Sequence, residues 1–211
     1  MDHSATPPPL LYDGPPDARW VVALAHGAGA AMDSPFMATM AGGLAAAGLR
    51  VVRFEFPYMR TRRASGVKRP PDGARTLEAC WRSVIETLGG SDRLVVGGKS
   101  LGGRIASLIA DDVEASGLLC LGYPFHAPGR AANPRINHLR QMRTPTLILK
   151  GTRDALGNQA DVASYPLSKA VSLEWIPDGD HSFAPRKASS RTLEENMALA
   201  ITAACAFVKG L

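Results

Sequence analysis

The stretch 93–106 constrains the fold of this chain more than any other. A β-branched run, Leu94-Val95-Val96, ends in Gly97-Gly98, and a helical pattern rich in Ala, Leu and Ile begins directly after Ser100. The segment 98–102 fits the Gly-x-Ser-x-Gly pattern, in which a serine occupies a sharp turn and the glycines let strand and helix approach each other. We therefore predict a strand, a turn and a helix, with the Ser100 hydroxyl projecting clear of both elements. The alternative is an ordinary glycine-rich turn with a serine that caps the helix.

Further apolar runs alternate with helical patterns along the rest of the chain. Continuous apolar runs are typical of strands that are buried on both faces of a parallel sheet. Alternation of strand and helix requires right-handed crossovers, so we predict an α/β fold with a mostly parallel sheet covered by helices on both faces. The predicted strands are 20–25, 50–57, 93–98, 117–122, 145–151 and 171–176, and the predicted helices are 37–49, 76–88, 101–110 and 192–208.

The length of 211 residues suits one substantial core and is short for two. Residues 1–19 are rich in proline, and we predict that they form a flexible tail or a short edge strand. Residues 20–211 are predicted to form the single domain. The polar segment 130–143 is too short to form a lid domain.

The excess of 24 Lys and Arg over 19 Asp and Glu gives a net charge of +5, which is too diffuse to indicate nucleic-acid binding. The densest positive charge lies in the segment 58–73, which we predict to be a loop. This segment is either a solvated surface or a rim that attracts anions. Its basic residues are Arg60, Arg62, Arg63, Lys68 and Arg69.

The three cysteines are widely spaced in apolar segments and form no CxxC pair, so we predict reduced thiols rather than disulfides or a metal site. The amino terminus lacks the features of a secretory signal, and no apolar run approaches the length of a membrane span. We expect a cytoplasmic monomer or homodimer that does not bind a membrane.

Three polar side chains follow three separate predicted strands: Ser100, Asp154 and His181. A serine hydroxyl is a poor nucleophile at neutral pH and needs a base to take its proton. The base in turn needs a carboxylate that fixes its tautomer. In folds that carry a nucleophilic serine on this type of turn, the three residues of the triad also follow one another along the chain in the order Ser, Asp, His. We therefore predict that Ser100 is the nucleophile, His181 the base and Asp154 the orienting carboxylate.

Two further carboxylates compete for the orienting role. Asp178 and Asp180 lie close to His181, whereas Asp154 follows a buried strand at the expected place. Asp180 adjoins His181 too closely to reach its ring readily. The other histidines do not fit the role of the base. His3 lies in the tail and His26 lies before the serine turn, while His126 and His138 lie in loops that do not follow the expected chain order Ser, Asp, His.

Small residues in the segment 26–30 let backbone N–H groups approach a ligand. We predict that the N–H of Leu101 and that of Ala28 or Gly27 bind the developing oxyanion. His26 is expected to brace this loop through the backbone rather than act as the base. Candidate pocket residues lie beside the nucleophile or after the strands, and they are Lys99, Tyr58, Met59, Arg60, Tyr123, Phe125 and His126. His126 either contacts the substrate or packs within its loop.

The common motifs for nucleotides and catalytic metals are missing from this sequence. It contains no GxxxxGK[ST], no HExxH and no dinucleotide-binding pattern before an early helix. We therefore expect no cofactor and no metal, and we expect the partner to be a small-molecule substrate rather than a nucleic acid.

These motifs together resemble the α/β-hydrolase superfamily, and within it the small lidless branch near the dienelactone hydrolases. The chain is more similar still to a bacterial α/β-hydrolase family that is related to a subunit of an animal histone acetyltransferase complex. The resemblance implies a triad of Ser100, Asp154 and His181, but Ser100 stands where dienelactone hydrolases have cysteine, which argues against a dienelactone substrate. The segments that carry the resemblance are 24–29, 53–59, 97–103, 121–126, 151–154 and 178–183.

Two interpretations from different classes remain open at this point. The first is an esterase or thioesterase that forms a covalent acyl-enzyme and acts on a small, soluble and, given the positive charge near Lys99, anionic substrate. The second is a binding or scaffold protein that keeps the fold with weak or no catalysis. The intact triad favours the enzyme.

Overall fold

The computed structural model describes residues 7–211, in which seven strands form one sheet. The strands are β1 (Leu10–Asp13), β2 (Val21–Ala25), β3 (Arg50–Phe54), β4 (Leu94–Lys99), β5 (Gly117–Leu121), β6 (Thr146–Gly151) and β7 (Val171–Ile176). Their spatial order is β1-β3-β2-β4-β5-β6-β7, and every neighbouring pair is parallel except β1 with β3. The prediction of an α/β fold with a mostly parallel sheet is confirmed.

Six helices connect and cover these strands within the described residues. They are α1 (Pro35–Ala46), α2 (Pro57–Ser65), α3 (Ala74–Thr87), α4 (Leu101–Ile109), α5 (Gln159–Val162) and α6 (Leu193–Lys209), with a 3₁₀ turn at His138–Arg140. The predicted strands and helices agree with the observed ones within three residues at each end. In residues 7–211, none of the helices combines the length and the apolar character that crossing a membrane requires.

Two apolar cores lie on opposite faces of the sheet. Alternate residues of β2 divide between them, because successive side chains of a strand point to opposite faces. Val22 packs in the core with residues of α1 and α6, and Ala23 packs in the core with residues of α3 and α4. All residues of β4, β5 and β6 are buried, as expected of strands covered on both faces. The expectation of helices on both faces is confirmed.

The amino-terminal segment contributes an edge strand. β1 runs antiparallel to β3, with Leu10 opposite Phe54. The Arg53 guanidinium donates to the Asp13 carboxylate over 2.9 Å and so ties the edge strand to its neighbour. The segment 1–19, predicted as a flexible tail or an edge strand, thus contains a strand from Leu10, and residues 1–6 lie outside the described residues.

The prediction of a loop over residues 58–73 is wrong for its first half, which forms α2. Pro57 stands in the first turn, where a missing N–H costs no hydrogen bond. Gly66 ends the helix with a φ of 70°, the left-handed conformation common after helices. Tyr58 and Met59 are buried and attach α2 to the domain. The dense positive charge favoured a loop, although the sequence contains both a helix start signal, Pro57, and a helix stop signal, Gly66.

Helix α5 was not predicted because only four residues form it. The Asn158 side chain accepts hydrogen bonds from the N–H groups of Ala160 and Asp161, and the Asp161 carboxylate accepts from the N–H of Asn158. This reciprocal cap stabilises a helix that has too few residues to show a period. Between β5 and β6, the described residues form a 3₁₀ turn at His138–Arg140 and no lid domain.

Candidate active site

The turn between β4 and α4 holds Ser100 in a strained conformation. Ser100 has φ 51° and ψ −111°, values that a non-glycine residue rarely adopts. A Cβ atom at Gly98 or Gly102 would lie 2.1 Å or 2.3 Å from the carbonyl oxygen of Ala25. Strand β2 therefore approaches this turn so closely that only glycine fits on either side of the serine. The predicted strand, turn and helix are all present.

Ser100, His181 and Asp154 form one chain of hydrogen bonds. The Ser100 hydroxyl lies 2.9 Å from Nε2 of His181, and Nδ1 of His181 lies 2.8 Å from Oδ2 of Asp154. With the proton on Nδ1, this nitrogen donates to Asp154, and Nε2 is free to accept from Ser100. The Ser100 side chain makes no capping bond to α4. The arrangement therefore has the geometry of a nucleophile, a base and an orienting carboxylate.

Strands β4, β6 and β7 bring these three residues to one edge of the sheet. Each residue follows the carboxyl end of its strand, and the strands run parallel in the order β4-β5-β6-β7. The end of β6 and the loop after it pack on the loop after β7. A Cβ atom at Gly151 would lie 2.3 Å from the carbonyl oxygens of Gly179 and Asp180, and the N–H of Arg153 donates to the carbonyl of Gly179 over 2.9 Å. Close contact between the two loops fixes the distance between Asp154 and His181.

The Asp154 carboxylate is completely buried and has three donors. Oδ2 accepts from Nδ1 of His181 and from Nζ of Lys150, the latter at 2.5 Å, and Oδ1 accepts from the N–H of Leu156 at 2.8 Å. Burial opposes ionisation, but the hydrogen bond from His181 and the positive charge of Lys150 outweigh it and lower the pKa of Asp154 to about 2. The carboxylate is therefore ionised throughout the pH range of ordinary enzymes.

The two competing carboxylates hold the backbone of their own loop. Oδ1 of Asp180 accepts from the N–H groups of Ser182 and Ala184, at 2.7 and 3.0 Å. Asp178 accepts from Arg186 and forms an ion pair with Arg153. Of the three carboxylates, Asp154 is the one placed against the His181 ring.

His26 occupies the loop after β2 with both ring nitrogens paired. Nδ1 donates to the carbonyl of Gly27 over 2.6 Å, and Nε2 accepts from the N–H of Phe56 over 3.2 Å. Burial lowers the pKa of His26, which keeps this ring neutral. The Tyr58 hydroxyl also contacts the loop, at 3.2 Å from the carbonyl of Ala28. These contacts place His26 as a brace for the loop, as the sequence indicated.

This braced loop lies opposite the start of α4. A Cβ atom at Gly27 would lie 3.7 Å from Cβ of Ser100, so the loop backbone passes next to the candidate nucleophile. Leu101 is the first residue of α4, where backbone N–H groups have no partner within the helix. Gly27 and Ala28 line the space in front of Ser100, and Leu101 follows Ser100 directly along the chain.

A cleft of about 300 Å³ opens in front of Ser100 and His181. Its size suits a small molecule. The ring of Phe36 and the side chain of Met37 give one wall an apolar character. No sequence pattern indicated these α1 residues, because their approach to Ser100 depends on how α1 packs on the sheet. The full lining is Gly27, Ala28, Gly29, Ala30, Ser34, Phe36, Met37, Lys99, Ser100, His181 and Ser182.

Lys99 lines this cleft, although little of its side chain is exposed. Its Nζ donates to the carbonyl of His181 over 2.6 Å and lies 5.3 Å from the centre of the Phe36 ring. Burial lowers the pKa of Lys99 to about 8, against the opposing attraction of Asp154. A cation that titrates near neutral pH therefore stands at the wall of the cleft.

The other predicted pocket residues lie outside the lining of this cleft. Tyr123 and Phe125 are fully buried and pack on each other. His126 is buried, 3.0 Å from the carbonyl of Ala127, as in the loop-packing alternative. Residues of the connection between β5 and β6 cover these rings, and the Tyr123 hydroxyl donates to the carbonyl of Arg135. Met59 and Arg60 face other depressions beside α2.

The basic residues of α2 are partly neutralised by neighbouring groups. Arg63 forms ion pairs with Glu55 and Asp33, at 2.6 and 2.8 Å. Arg62 lies 3.3 Å from the carbonyl of Gly29, so one guanidinium reaches the loop that lines the cleft. The contribution of this helix to the potential at the cleft is therefore smaller than its sequence indicates.

Comparison with known proteins agrees with this architecture. Residues 18–209 match a family model described as an alpha/beta hydrolase domain. Among solved structures, an alpha-beta serine hydrolase homologue from Coxiella burnetii is 23% identical, with 92% of this chain and 90% of that chain covered and a TM-score of 0.66. A serine hydrolase without a lid from Xanthomonas campestris is 21% identical, with 90% and 85% covered and a TM-score of 0.64. A dienelactone hydrolase from Anabaena variabilis is 20% identical, with 92% and 88% covered and a TM-score of 0.69.

Proposed function

The chain belongs to the alpha/beta hydrolase family, and we propose that it is a serine hydrolase that cleaves small ester or thioester substrates through a covalent acyl-enzyme. The observation that carries this proposal is the continuous hydrogen-bond chain from Ser100 through His181 to Asp154. Membership of the family supports hydrolysis in general. The assignment of Ser100 as the nucleophile and of an ester or thioester as the cleaved bond rests on this hydrogen-bond geometry.

In the first half of the reaction Ser100 becomes acylated. Its Oγ attacks the carbonyl carbon of the substrate while its proton passes to Nε2 of His181. The resulting tetrahedral oxyanion lies against the N–H of Leu101 and the N–H of Ala28 or Gly27. When the oxyanion collapses, the bond to the alcohol or thiol breaks, and the leaving group takes the proton from His181.

The second half regenerates the enzyme with water. His181 takes a proton from the water as it attacks the acyl carbon, and then returns a proton to Oγ of Ser100 as the acid leaves. Asp154 stabilises the imidazolium in both halves and keeps the proton of neutral His181 on Nδ1. Because His181 must be neutral to accept a proton, kcat/KM is expected to fall at acidic pH.

The cleft supports a small substrate that carries an anionic group. A volume of about 300 Å³ has little room for a long acyl chain. Lys99 lines the cleft, and Arg62 contacts the loop that forms its rim. Positive charge at the mouth of a site draws anions inward, an effect that salt screens. We expect monomethyl glutarate to be a better substrate than methyl pentanoate at low ionic strength, and methyl palmitate to be poor.

The alternative is a binding or scaffold protein with the same fold, as the resemblance to a family related to an acetyltransferase-complex subunit implies. Such a protein has no need of a strained serine paired with a histidine. The φ of 51° at Ser100 and the glycines that permit it therefore favour the enzyme.

The proposal is tested by kcat on p-nitrophenyl acetate for the wild type and Ser100→Ala, with folding checked by circular dichroism. We expect a loss of about 10³-fold or more, with the remaining rate due to the oxyanion donors and binding. Ser182→Ala, which removes a hydroxyl from the same cleft, is the matched control and is expected to change kcat less than tenfold. Equal rates for the wild type and Ser100→Ala would remove Ser100 from the mechanism and favour the binding alternative.

A further inference from the structure

We propose that Lys150 is a positioning residue that holds the Asp154 carboxylate in place for His181. Its positive charge also determines how far the pH must fall before the His181–Asp154 pair takes up an additional proton. The kinetic part of this inference rests on the proposed hydrolase function. The structural part concerns the hydrogen-bond chain alone.

Lys150 reaches Asp154 from inside the protein. It belongs to β6, and its side chain is 0% exposed, as is that of Asp154. Its Nζ lies 2.5 Å from Oδ2, the same oxygen that accepts the proton of His181 at 2.8 Å. Oδ1 is occupied separately by the N–H of Leu156. Two donors therefore converge on the oxygen that orients the candidate base.

A lysine in a completely buried strand is rare, because burial of an ammonium group costs far more than its partner returns unless the geometry is good. The ring of Phe125 lies 5.7 Å from Nζ and contributes the attraction of its face. An apolar residue at position 150 would fill the core without this cost. Because the ammonium group lies against Asp154, we attribute the presence of a lysine at position 150 to its interaction with this carboxylate rather than to packing.

The electrostatic consequence follows from the charge balance of the pair. With Lys150 present, the carboxylate beside His181 belongs to an ion pair whose net charge is zero. An extra proton on His181 or Asp154 then gains less attraction than it would from a lone carboxylate. Removal of the ammonium should let the His181–Asp154 pair bind its proton at higher pH. Because the two groups are coupled, this holds whichever of them carries the proton.

Other charged groups face the same region and stay constant in the comparison. Lys99 from β4 donates to the carbonyl of His181, and Asp180 accepts from the backbone of its own loop. Asp161 of α5 also attracts the Lys150 ammonium group. Since all three are unchanged in a variant of Lys150, a shift reports on Lys150.

The test compares Lys150→Met, Lys150→Gln and Lys150→Arg with Thr146→Val as the matched control. Thr146 lies on the same strand, is also buried, and donates to the carbonyl of Thr144 rather than to the site. In Lys150→Met and Lys150→Gln, which lose the charge, we expect the acid limb of kcat/KM to move to higher pH by about one unit. We expect kcat on the plateau to fall about tenfold and KM to change less than twofold. Lys150→Arg, which keeps the charge, and Thr146→Val should leave the limb in place.

The titration of the hydrogen-bonded Nδ1 proton of His181 by NMR gives a second readout that needs no substrate. We expect the same upward shift in Lys150→Met and Lys150→Gln, and His181→Gln identifies the resonance. A folded Lys150→Met or Lys150→Gln protein whose titration matches the wild type would overturn the inference. If the charge-free variants do not fold, a Lys150→Arg protein with a shifted limb would also contradict it. An NMR shift without any esterase activity would support the role of Lys150 and count against the proposed function.

Discussion

The turn that carries Ser100 and the loop that carries Asp154 place their side chains by opposite means. Ser100 lies on a strained backbone that glycines on both sides make possible, and its hydroxyl contacts one other side chain, His181. The loop of Asp154 needs no such strain, and the carboxylate is fixed by three donors from its surroundings. The serine is thus positioned by the main chain, and the carboxylate is positioned by side-chain and backbone partners.

This difference decides how each region should respond to substitution. A methyl group added beside Ser100 collides with backbone that cannot move independently, so it should damage the fold. A change at Asp154 leaves the main chain in place, so it should damage the chemistry.

The largest effect is expected for Asp154→Asn, which alters the carboxylate region alone. The amide cannot supply the charge that stabilises the His181 imidazolium, and its NH₂ group favours the wrong tautomer. We expect kcat on p-nitrophenyl acetate to fall by as much as ~10⁴-fold, as in the best-studied triad.

Asp178→Asn and Asp180→Asn are the controls for this prediction. Their carboxylates accept from the backbone of residues 182–186 rather than from the His181 ring. Both variants are expected to retain kcat within about tenfold. If one of them lost as much activity as we expect for Asp154→Asn, the assignment of the orienting carboxylate would be wrong.

The next effect is expected for Gly102→Ala, which alters the serine turn. A helix-interior Gly→Ala change normally stabilises by up to about 1 kcal/mol. At Gly102 the new methyl group would lie 2.3 Å from the carbonyl oxygen of Ala25, so we expect the free energy of unfolding to fall by about 3 kcal/mol or more. Urea denaturation measures this change.

Gly42→Ala is the matched control, because Gly42 is an exposed helical glycine of α1 with nothing within 4 Å of an added Cβ. This variant should gain up to about 1 kcal/mol. Equal responses of the two variants would contradict the close approach of β2 to the serine turn.

A smaller effect concerns Lys99, the lysine of the serine turn, which faces the cleft while Lys150 faces the carboxylate. Because its pKa is lowered to about 8, Lys99 is charged below that pH and neutral above it. We expect the ratio of kcat/KM for monomethyl glutarate over methyl pentanoate to fall by about three- to tenfold as pH rises through about 8. Release of methanol, followed by NMR, measures both rates.

In Lys99→Met the same ratio should be low and independent of pH. The matched esters have equal chain length, so general effects of pH on His181 cancel in the ratio. If the ratio in the wild type stayed constant across pH 8, Lys99 would have no part in the preference for the anionic ester.

The same contrast explains what could be predicted from the sequence. The spacing of Gly98, Ser100 and Gly102 is a local signal for a main-chain conformation, and it predicted the turn. The order of Asp154 and His181 after apolar runs predicted their place at the edge of the sheet. These features depend on short-range geometry and on the rule that parallel strands end together.

Features that depend on packing between distant segments were missed. Lys150 reads as the polar end of a strand, and only the fold shows that its ammonium is buried against Asp154. Tyr123 and Phe125 follow a strand at the correct edge, but their rings turn into the core. Helix α2 was missed because its charge pattern outweighed the signals of Pro57 and Gly66.

To test whether Ser100 is the nucleophile, the protein is labelled with a fluorophosphonate, and the modified peptide is identified by mass spectrometry. Cleavage with trypsin after Lys99 and Arg104 releases residues 100–104, in which Ser100 carries the one hydroxyl side chain. We expect the phosphonyl group on this peptide in the wild type, much slower labelling in His181→Ala, and no adduct in Ser100→Ala. A folded wild-type protein that is not labelled, or that is labelled at another residue while the 100–104 peptide stays unmodified, would contradict this assignment.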